Sequence, residues 1–236
     1  MRDSTHELPK TAVITGGSHG IGKAIADELL ADDFVVVIAD LVPPTNAGTA
    51  YFKTCDVTCA EDVAGLHGYV MEKVGPPRVL ICNAGRGIHE PLSTGDPDKW
   101  QQVFDLNVMG NLRFIRSFLP AMLEADGSHL VFITSVAAKK TYAGGGIYAA
   151  SKAALEMIAE TLRIELSGRA RISVVAPGKV RTDFYRHSLS PEGFGEADLS
   201  DGMEADVVGQ VVRQLLRQGP NCNLDHVTMR PVDQLF

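Results

Sequence analysis

The sequence predicts an α/β domain in which a parallel sheet is covered by helices on both faces. Three observations carry that expectation. Short apolar, β-branched runs alternate with helical patterns along the chain; a glycine-rich turn joins the first run to the first helical pattern; and no linker, repeat or low-complexity segment divides the 236 residues. Strands alternating with helices form right-handed βαβ units. A doubly wound sheet in a single domain, residues 1–236, is therefore expected.

The elements follow in order. Thr11-Ala12-Val13-Ile14 is an apolar run ending at glycines, and helical spacing covers Ile21 to Leu30. Phe34 to Ala39 is a stronger strand signal, because almost every residue is β-branched or aromatic. A short strand over Ala50 to Lys53 precedes a helix over Glu61 to Lys73, which Pro76-Pro77 ends. Val79 to Cys82 has the continuous apolarity of a strand buried on both faces. Pro97 to Leu123 predicts two helices, Leu130 to Ile133 a strand, and Tyr148 to Leu166 a long helix. Ile172 to Val175 is a strand ending at Pro177-Gly178, followed by an irregular stretch from Thr182 to Met203, a helix over Glu204 to Arg217 and a short strand over His226 to Met229. Long irregular stretches inside compact domains are often active-site lids, so a lid is expected over about 183–203.

Composition narrows the function classes. Hydrophobic residues make up 45% and charged residues 22%, values ordinary for a globular protein with a full core. A net charge of −7 lacks the basic footprint of nucleic-acid binding. No apolar run approaches the roughly 20 residues that cross a bilayer, and the first seven residues are polar, as in a frayed leader. Cys55, Cys59, Cys82 and Cys222 have no metal-ligand spacing. They read as reduced thiols of a cytoplasmic protein, with no metal site expected.

The first turn, Gly16-Gly17-Ser18-His19-Gly20-Ile21-Gly22, lies where a phosphate would bind. Glycines let the backbone turn tightly and approach a ligand, and the helix start offers free N–H groups and a positive dipole end. The alternative is a tight βα connection without a ligand. Asp40, at the end of the second strand, can accept hydrogen bonds from adenosine ribose hydroxyls and would repel a 2′-phosphate; the alternative is a solvated strand-end aspartate. Leu41 after it, and His19 where an arginine would hold that phosphate, both favour NAD over NADP. Asp56-Val57 could meet the adenine region. Asn83-Ala84-Gly85 ends the fourth strand with small residues against which a cofactor could lie.

Tyr148 and Lys152 stand at i and i+4 of one helix, so ammonium and phenol share a face. A tyrosine with its usual pKa of about 10 is a poor base, and bringing it to neutrality takes about 4 kcal/mol of nearby positive charge. Ser135 lies upstream, after the fifth strand. Taken alone, Tyr148 and Lys152 could equally be a surface pair.

Together these motifs resemble the short-chain dehydrogenase/reductase family over nearly the whole chain. Thr15-Gly16-x-x-x-Gly20-Ile21-Gly22, Asp56, Asn83-Ala84-Gly85, Asn107, Ser135, Tyr148-x-x-x-Lys152 and Pro177-Gly178 stand in that family's order and spacing. The resemblance implies a Rossmann-type sheet of about seven parallel strands, hydride transfer with a nicotinamide cofactor, and a homodimer or homotetramer. It implies that Tyr148 is the acid/base, that Lys152 lowers its pKa and holds the nicotinamide ribose, and that Ser135 steadies the substrate oxygen. Asn107 would support a relay water, or else serve as a helix-packing amide. Ser18, Val180 and Thr182 join the implied cofactor contacts.

Two departures bear on the substrate. The tail, Val227 to Gln234, is more similar to 3-hydroxy-acid dehydrogenases, which extends the implied secondary alcohol or ketone to a small hydroxy acid. Gly144-Gly145-Gly146 suggests a flexible, loosely defined substrate wall. Phe184, Tyr185, Leu189, Phe194, His89 and Met203 are candidate substrate contacts. Arg86, Lys139, Arg181 and Arg186 are cations that could meet a carboxylate or lie in solvent. The competing functions are an NADP-dependent carbonyl reductase and a dinucleotide-binding regulator without catalysis.

Overall fold

A computed structural model describes residues 10–124, 126–190, 200–219 and 221–234. Seven strands form one parallel sheet: β1 (Thr11–Thr15), β2 (Val35–Asp40), β3 (Tyr51–Thr54), β4 (Val79–Cys82), β5 (Ser128–Ile133), β6 (Ala170–Pro177) and β7 (His226–Met229). Their order is β3-β2-β1-β4-β5-β6-β7. The chain winds outward from β1 in one direction and from β4 in the other, so a crevice opens at the carboxyl ends of these two strands.

Side chains alternate across the sheet and build two cores. Val13, Leu80, Leu130 and Phe132 face α2 (Ala60–Lys73), α4 (Asn111–Met122) and α5 (Gly146–Glu165), with Phe114, Phe118 and Leu155 fully buried among them. Ile14, Ile38, Ile81 and Val131 face α1 (Gly20–Leu30) and α6 (Ala205–Leu216), packing on Ile25, Leu29, Val208 and Val212. The Rossmann-type architecture is therefore as expected from the strand periods. Among the described residues no helix is long and apolar enough to cross a membrane.

One helical boundary differs from expectation. The region from Pro97 is not two separated helices: α3 (Pro97–Phe104) passes through a π-helical turn, Asp105–Gly110, directly into α4. Asp96 caps the start by accepting from the Asp98 N–H, with Pro97 in the first turn where its missing N–H costs nothing. A π turn inserts a residue into the helical repeat and re-aims the side chains on it. Apolar spacing does not reveal such an insertion, because the stripe resumes on the far side.

Candidate active site

The glycine turn is built by contacts that leave no room for side chains. Gly16 and Gly20 have φ of +66° and +52°, a left-handed conformation. A Cβ on Gly22 would lie 2.0 Å from the Gly16 carbonyl oxygen and 2.5 Å from Asn83 Nδ2. The Asn83 amide donates to the carbonyls of Thr15 and Gly16, both at 2.9 Å, while the Thr15 hydroxyl accepts from the Asn83 and Ala84 N–H groups. Asn83 thus clamps the end of β4 to the turn after β1, a job its sequence position alone did not disclose.

Asp40 is fixed as firmly. Its carboxylate accepts from the Ser18 N–H at 2.9 Å and the Leu41 N–H at 2.7 Å, and the Ser18 hydroxyl donates to the Val42 carbonyl. Asp56 accepts from the N–H and hydroxyl of Thr58.

A single cleft of about 1390 Å³ runs from this turn to the tyrosine helix. That exceeds the roughly 300–1,000 Å³ of a typical one-ligand pocket and leaves space for two molecules. Gly16, Ser18, His19, Gly20, Ile21, Gly22, Asp40, Asp56, Val57, Asn83, Ala84, Gly85, Pro177, Gly178, Val180 and Thr182 line it, as do Ser135, Tyr148 and Lys152. Of the expected catalytic and cofactor residues, Asn107 alone stays behind the wall, with no exposure to solvent.

Asn107 is a brace. Its side chain accepts from the Arg86 N–H at 2.8 Å and donates to the Arg86 carbonyl and to the Ser151 hydroxyl. Its own carbonyl accepts from the Asn111 side chain at 2.6 Å. The π turn aims this amide across to the end of β4 and to α5 at once. A Cβ on Gly85 would approach Asn107 Oδ1 to 3.1 Å and Lys152 Nζ to 3.4 Å, which places the end of β4 beside that lysine.

Lys152 is buried, donates to the Ile133 carbonyl at 2.9 Å and lies 5.9 Å from the centre of the Tyr148 ring. Burial lowers its pKa to about 8, with Cys82 acting weakly the other way. The expected lowering of the Tyr148 pKa is not what the geometry produces. Burial pushes the phenol above its ordinary value, and the Ser135 hydroxyl beside it provides the opposing, acidifying hydrogen bond. The physical reason is desolvation: a dry pocket disfavours the phenolate as it disfavours the ammonium. Ser135 itself caps the turn Val136–Ala138, accepting from the Ala137 N–H at 3.1 Å.

The substrate end corrects several expectations. The three glycines before Tyr148 are close-packed, not loose. Gly144 has φ of +78°, its carbonyl accepts from the Glu90 N–H, and a Cβ there would press to 2.7 Å on the His89 ring. A Cβ on Gly145 would meet the Tyr142 ring at 2.5 Å. Glycine is needed here for close approach, so counting glycines misjudged mobility. The start of the lid is held as well: Val180 and Met203 pair, Leu189 N–H donates to the Gly87 carbonyl, and the Ser190 hydroxyl donates to Glu90. Phe184 stacks obliquely on Tyr148, ring centres 5.7 Å apart, and Tyr185 packs on Phe184. Met203 is bridged beside Val180 and packs, partly buried, against the core, and neither it nor Leu189 lines the cleft. Phe194 lies outside the described residues.

Some lining residues had no sequence signal. Gln234 accepts from the Lys179 N–H at 2.8 Å and returns the tail to the cleft beside Gly178, where a Cβ would meet it at 2.1 Å. Tyr142, also unanticipated, lines the cleft stacked on His89 with ring centres 5.9 Å apart, and His89 lines it as expected. An aromatic six residues before Tyr148 was a usable hint; a tail glutamine was not.

A half-buried tyrosine and serine beside a buried lysine, in a cleft that also takes in a helix N-terminus, can exchange a proton with a bound hydroxyl or carbonyl. Comparison with known proteins agrees. Residues 10–192 match the family model described as short chain dehydrogenase. The chain belongs to the short-chain dehydrogenase family. Its relatives include the uncharacterized oxidoreductase MT0502 of Mycobacterium tuberculosis, 33% identical over 240 residues that cover 95% of this chain and 92% of that protein. Another is glycine betaine reductase ATRR of Emericella nidulans, 30% identical over 95% of this chain but only 19% of that protein's length. Among solved structures, an alcohol dehydrogenase of Thermococcus sibiricus complexed with 5-hydroxy-NADP superposes with a TM-score of 0.84 at 26% identity, covering 95% of this chain and 97% of that one. A serine dehydrogenase complexed with NADP+, at 22% identity and a TM-score of 0.86 over 96% of each chain, supports the fold.

Proposed function

We propose that this protein transfers hydride between a nicotinamide dinucleotide and a secondary alcohol or its ketone. The observation that carries this reading is the convergence of Tyr148, Ser135 and Lys152 at one end of the cleft that begins at the Gly16–Gly22 turn. Bound there, the nicotinamide would supply or accept the hydride. The protein's own residues do the rest. Tyr148 passes a proton to or from the substrate oxygen, the Ser135 hydroxyl donates to that oxygen as negative charge develops, and Lys152 holds positive charge behind the phenol. Phe184 over Tyr148 keeps the oxygen out of bulk water. A screen of secondary alcohols and hydroxy acids, followed by dinucleotide absorbance, is expected to find turnover. Tight dinucleotide binding with no turnover on any of them would instead support a regulator.

NAD is the proposed cofactor. The T. sibiricus alcohol dehydrogenase is complexed with an NADP derivative, so the preference here rests on Asp40, whose carboxylate is locked by two backbone N–H groups where a 2′-phosphate would sit. NADH is expected to bind at least about tenfold more tightly than NADPH, with Asp40→Ser narrowing the gap, since a like charge within a few ångströms costs on the order of 1 kcal/mol or more. Equal or tighter NADPH binding by fluorescence titration would reverse the assignment. The four free thiols support a reducing compartment. Met157 and Ile164, 67% and 72% exposed on one face of α5, support self-association as a homodimer or homotetramer.

A further inference from the structure

Arg86 is separated by the structure from the other cations near the cleft. Lys23 pairs with Asp27, Lys179 with Asp201 and Arg181 with Glu204, while Lys139 and Arg186 lie outside the cleft on Glu156 and Asp183. Arg86 lines the cleft half-buried, and its guanidinium has no acidic or hydrogen-bonding partner among the described residues. A guanidinium is a fixed charge with five donors, suited to a carboxylate in two-point contact. Leaving it partly desolvated and unpaired is unfavourable unless a ligand completes it.

Its place in the fold says which ligand. The backbone of Arg86 is gripped in both directions by the Asn107 side chain. The residue before it, Gly85, abuts Asn107 and Lys152; the residue after it, Gly87, abuts Phe184 and Ser188, with a would-be Cβ 2.9 Å from the Phe184 ring. Arg86 therefore stands between the catalytic lysine and the lid, whereas the phosphate turn packs further back along the end of β4, on Asn83 and Ala84. The lid carboxylate that also lines the cleft, Asp183, is engaged by Arg186 at 3.3 Å. Lys140 adds a second cation to the same wall. Local positive charge in a chain of net charge −7 marks a site for an anion.

We infer that the substrate carries a carboxylate and that Arg86 is the residue that reads it, a specificity determinant resting on the dehydrogenase reading above. The oxidisable or reducible carbon sits beside Tyr148, and the carboxylate lies towards the lid. No bond to the carboxylate forms or breaks.

The test compares acids with their methyl esters. Short 2-oxo and 3-oxo acids and the matching esters are assayed as substrates with NADH, and their binding to the protein–NADH complex is followed by NADH fluorescence. Wild-type protein, Arg86→Gln and Arg86→Lys are compared, with thermal melting as a check on folding. The wild type should favour at least one acid over its ester by about 10- to 100-fold, the worth of one charge-assisted contact. That ratio should collapse towards one in Arg86→Gln and recover partly in Arg86→Lys. Acids that bind no better than esters overturn the inference. So does an Arg86→Gln protein that keeps the acid preference but binds NADH tenfold more weakly, which transfers the guanidinium to the dinucleotide phosphates. Arg86-dependent acid binding without turnover would instead retain the anion site and remove the dehydrogenase reading.

Discussion

Tyr148→Phe is expected to lower kcat about 10³-fold while leaving NADH affinity within twofold, since a positioned acid/base contributes roughly 10²–10⁴-fold. The ring stays. Phenylalanine keeps the aromatic contact with Phe184 and the packing above Lys152, and only the hydroxyl beside Ser135 is lost. The loss should therefore fall on kcat and kcat/KM together, the pattern of a contact made in the transition state. In the wild type the pH profile should reflect two opposed groups. Burial depresses Lys152 to about 8 and raises Tyr148, so the positive charge behind the phenol weakens as pH climbs through 8, while the phenol itself remains protonated. For stability the sign follows from proton binding. Between pH 8 and the ordinary lysine value of 10.5 the unfolded chain holds more protons at this lysine than the folded one, so Lys152 contributes stability that rises with pH across that window. Near-wild-type kcat in Tyr148→Phe on a confirmed substrate would remove the acid/base from this tyrosine.

Gly22→Ala is expected to abolish dinucleotide binding, weakening it by at least about 100-fold, and to destabilise the fold. One methyl would stand 2.0 Å from the Gly16 backbone oxygen and 2.5 Å from the Asn83 side-chain amide, which two hydrogen bonds to the Thr15 and Gly16 carbonyls hold in place. Overpacking a tight site costs about 1–3 kcal/mol, and more where backbone must move. Here the turn would have to open, taking the Gly16 carbonyl off the Asn83 amide and moving the helix start that faces the cleft. Titration of NADH fluorescence and a denaturant melt measure the two effects; unchanged affinity would mean that the turn does not carry the phosphates.

Much of this molecule was legible along the chain for a local reason. Strand and helix patterns repeat every two or every 3.6 residues, so β2, β4 and α5 declare themselves within a dozen positions. The parallel, two-faced sheet then follows from alternation, and the cleft residues follow from the points where strands end. Even Asn107, hidden from the cleft, could be named through the resemblance to the family's motif order. Its hydrogen bonds could not, because the π turn that aims it leaves the apolar stripe intact.

The errors share another reason. Gly144 to Gly146 were read as loose because glycine is permissive in isolation, yet His89, Tyr142 and Leu92 press on them. Met203, a candidate pocket wall by sequence, is held beside Val180 and packs against the core. The ionisation of Tyr148 was read from the cation one helical turn away, whereas the depth of its burial decides the direction.

The order of residues by itself determined the architecture, because strand and helix periods are short-range, and through the family resemblance it pointed to the tyrosine, serine and lysine that the fold brings to one cleft. Only the folded chain decided how tightly the wall is packed, which way burial drives the two titrating groups, and which arginine is left without a partner. Those depend on what stands opposite a residue across tens of positions, and contact and desolvation act through space irrespective of chain distance.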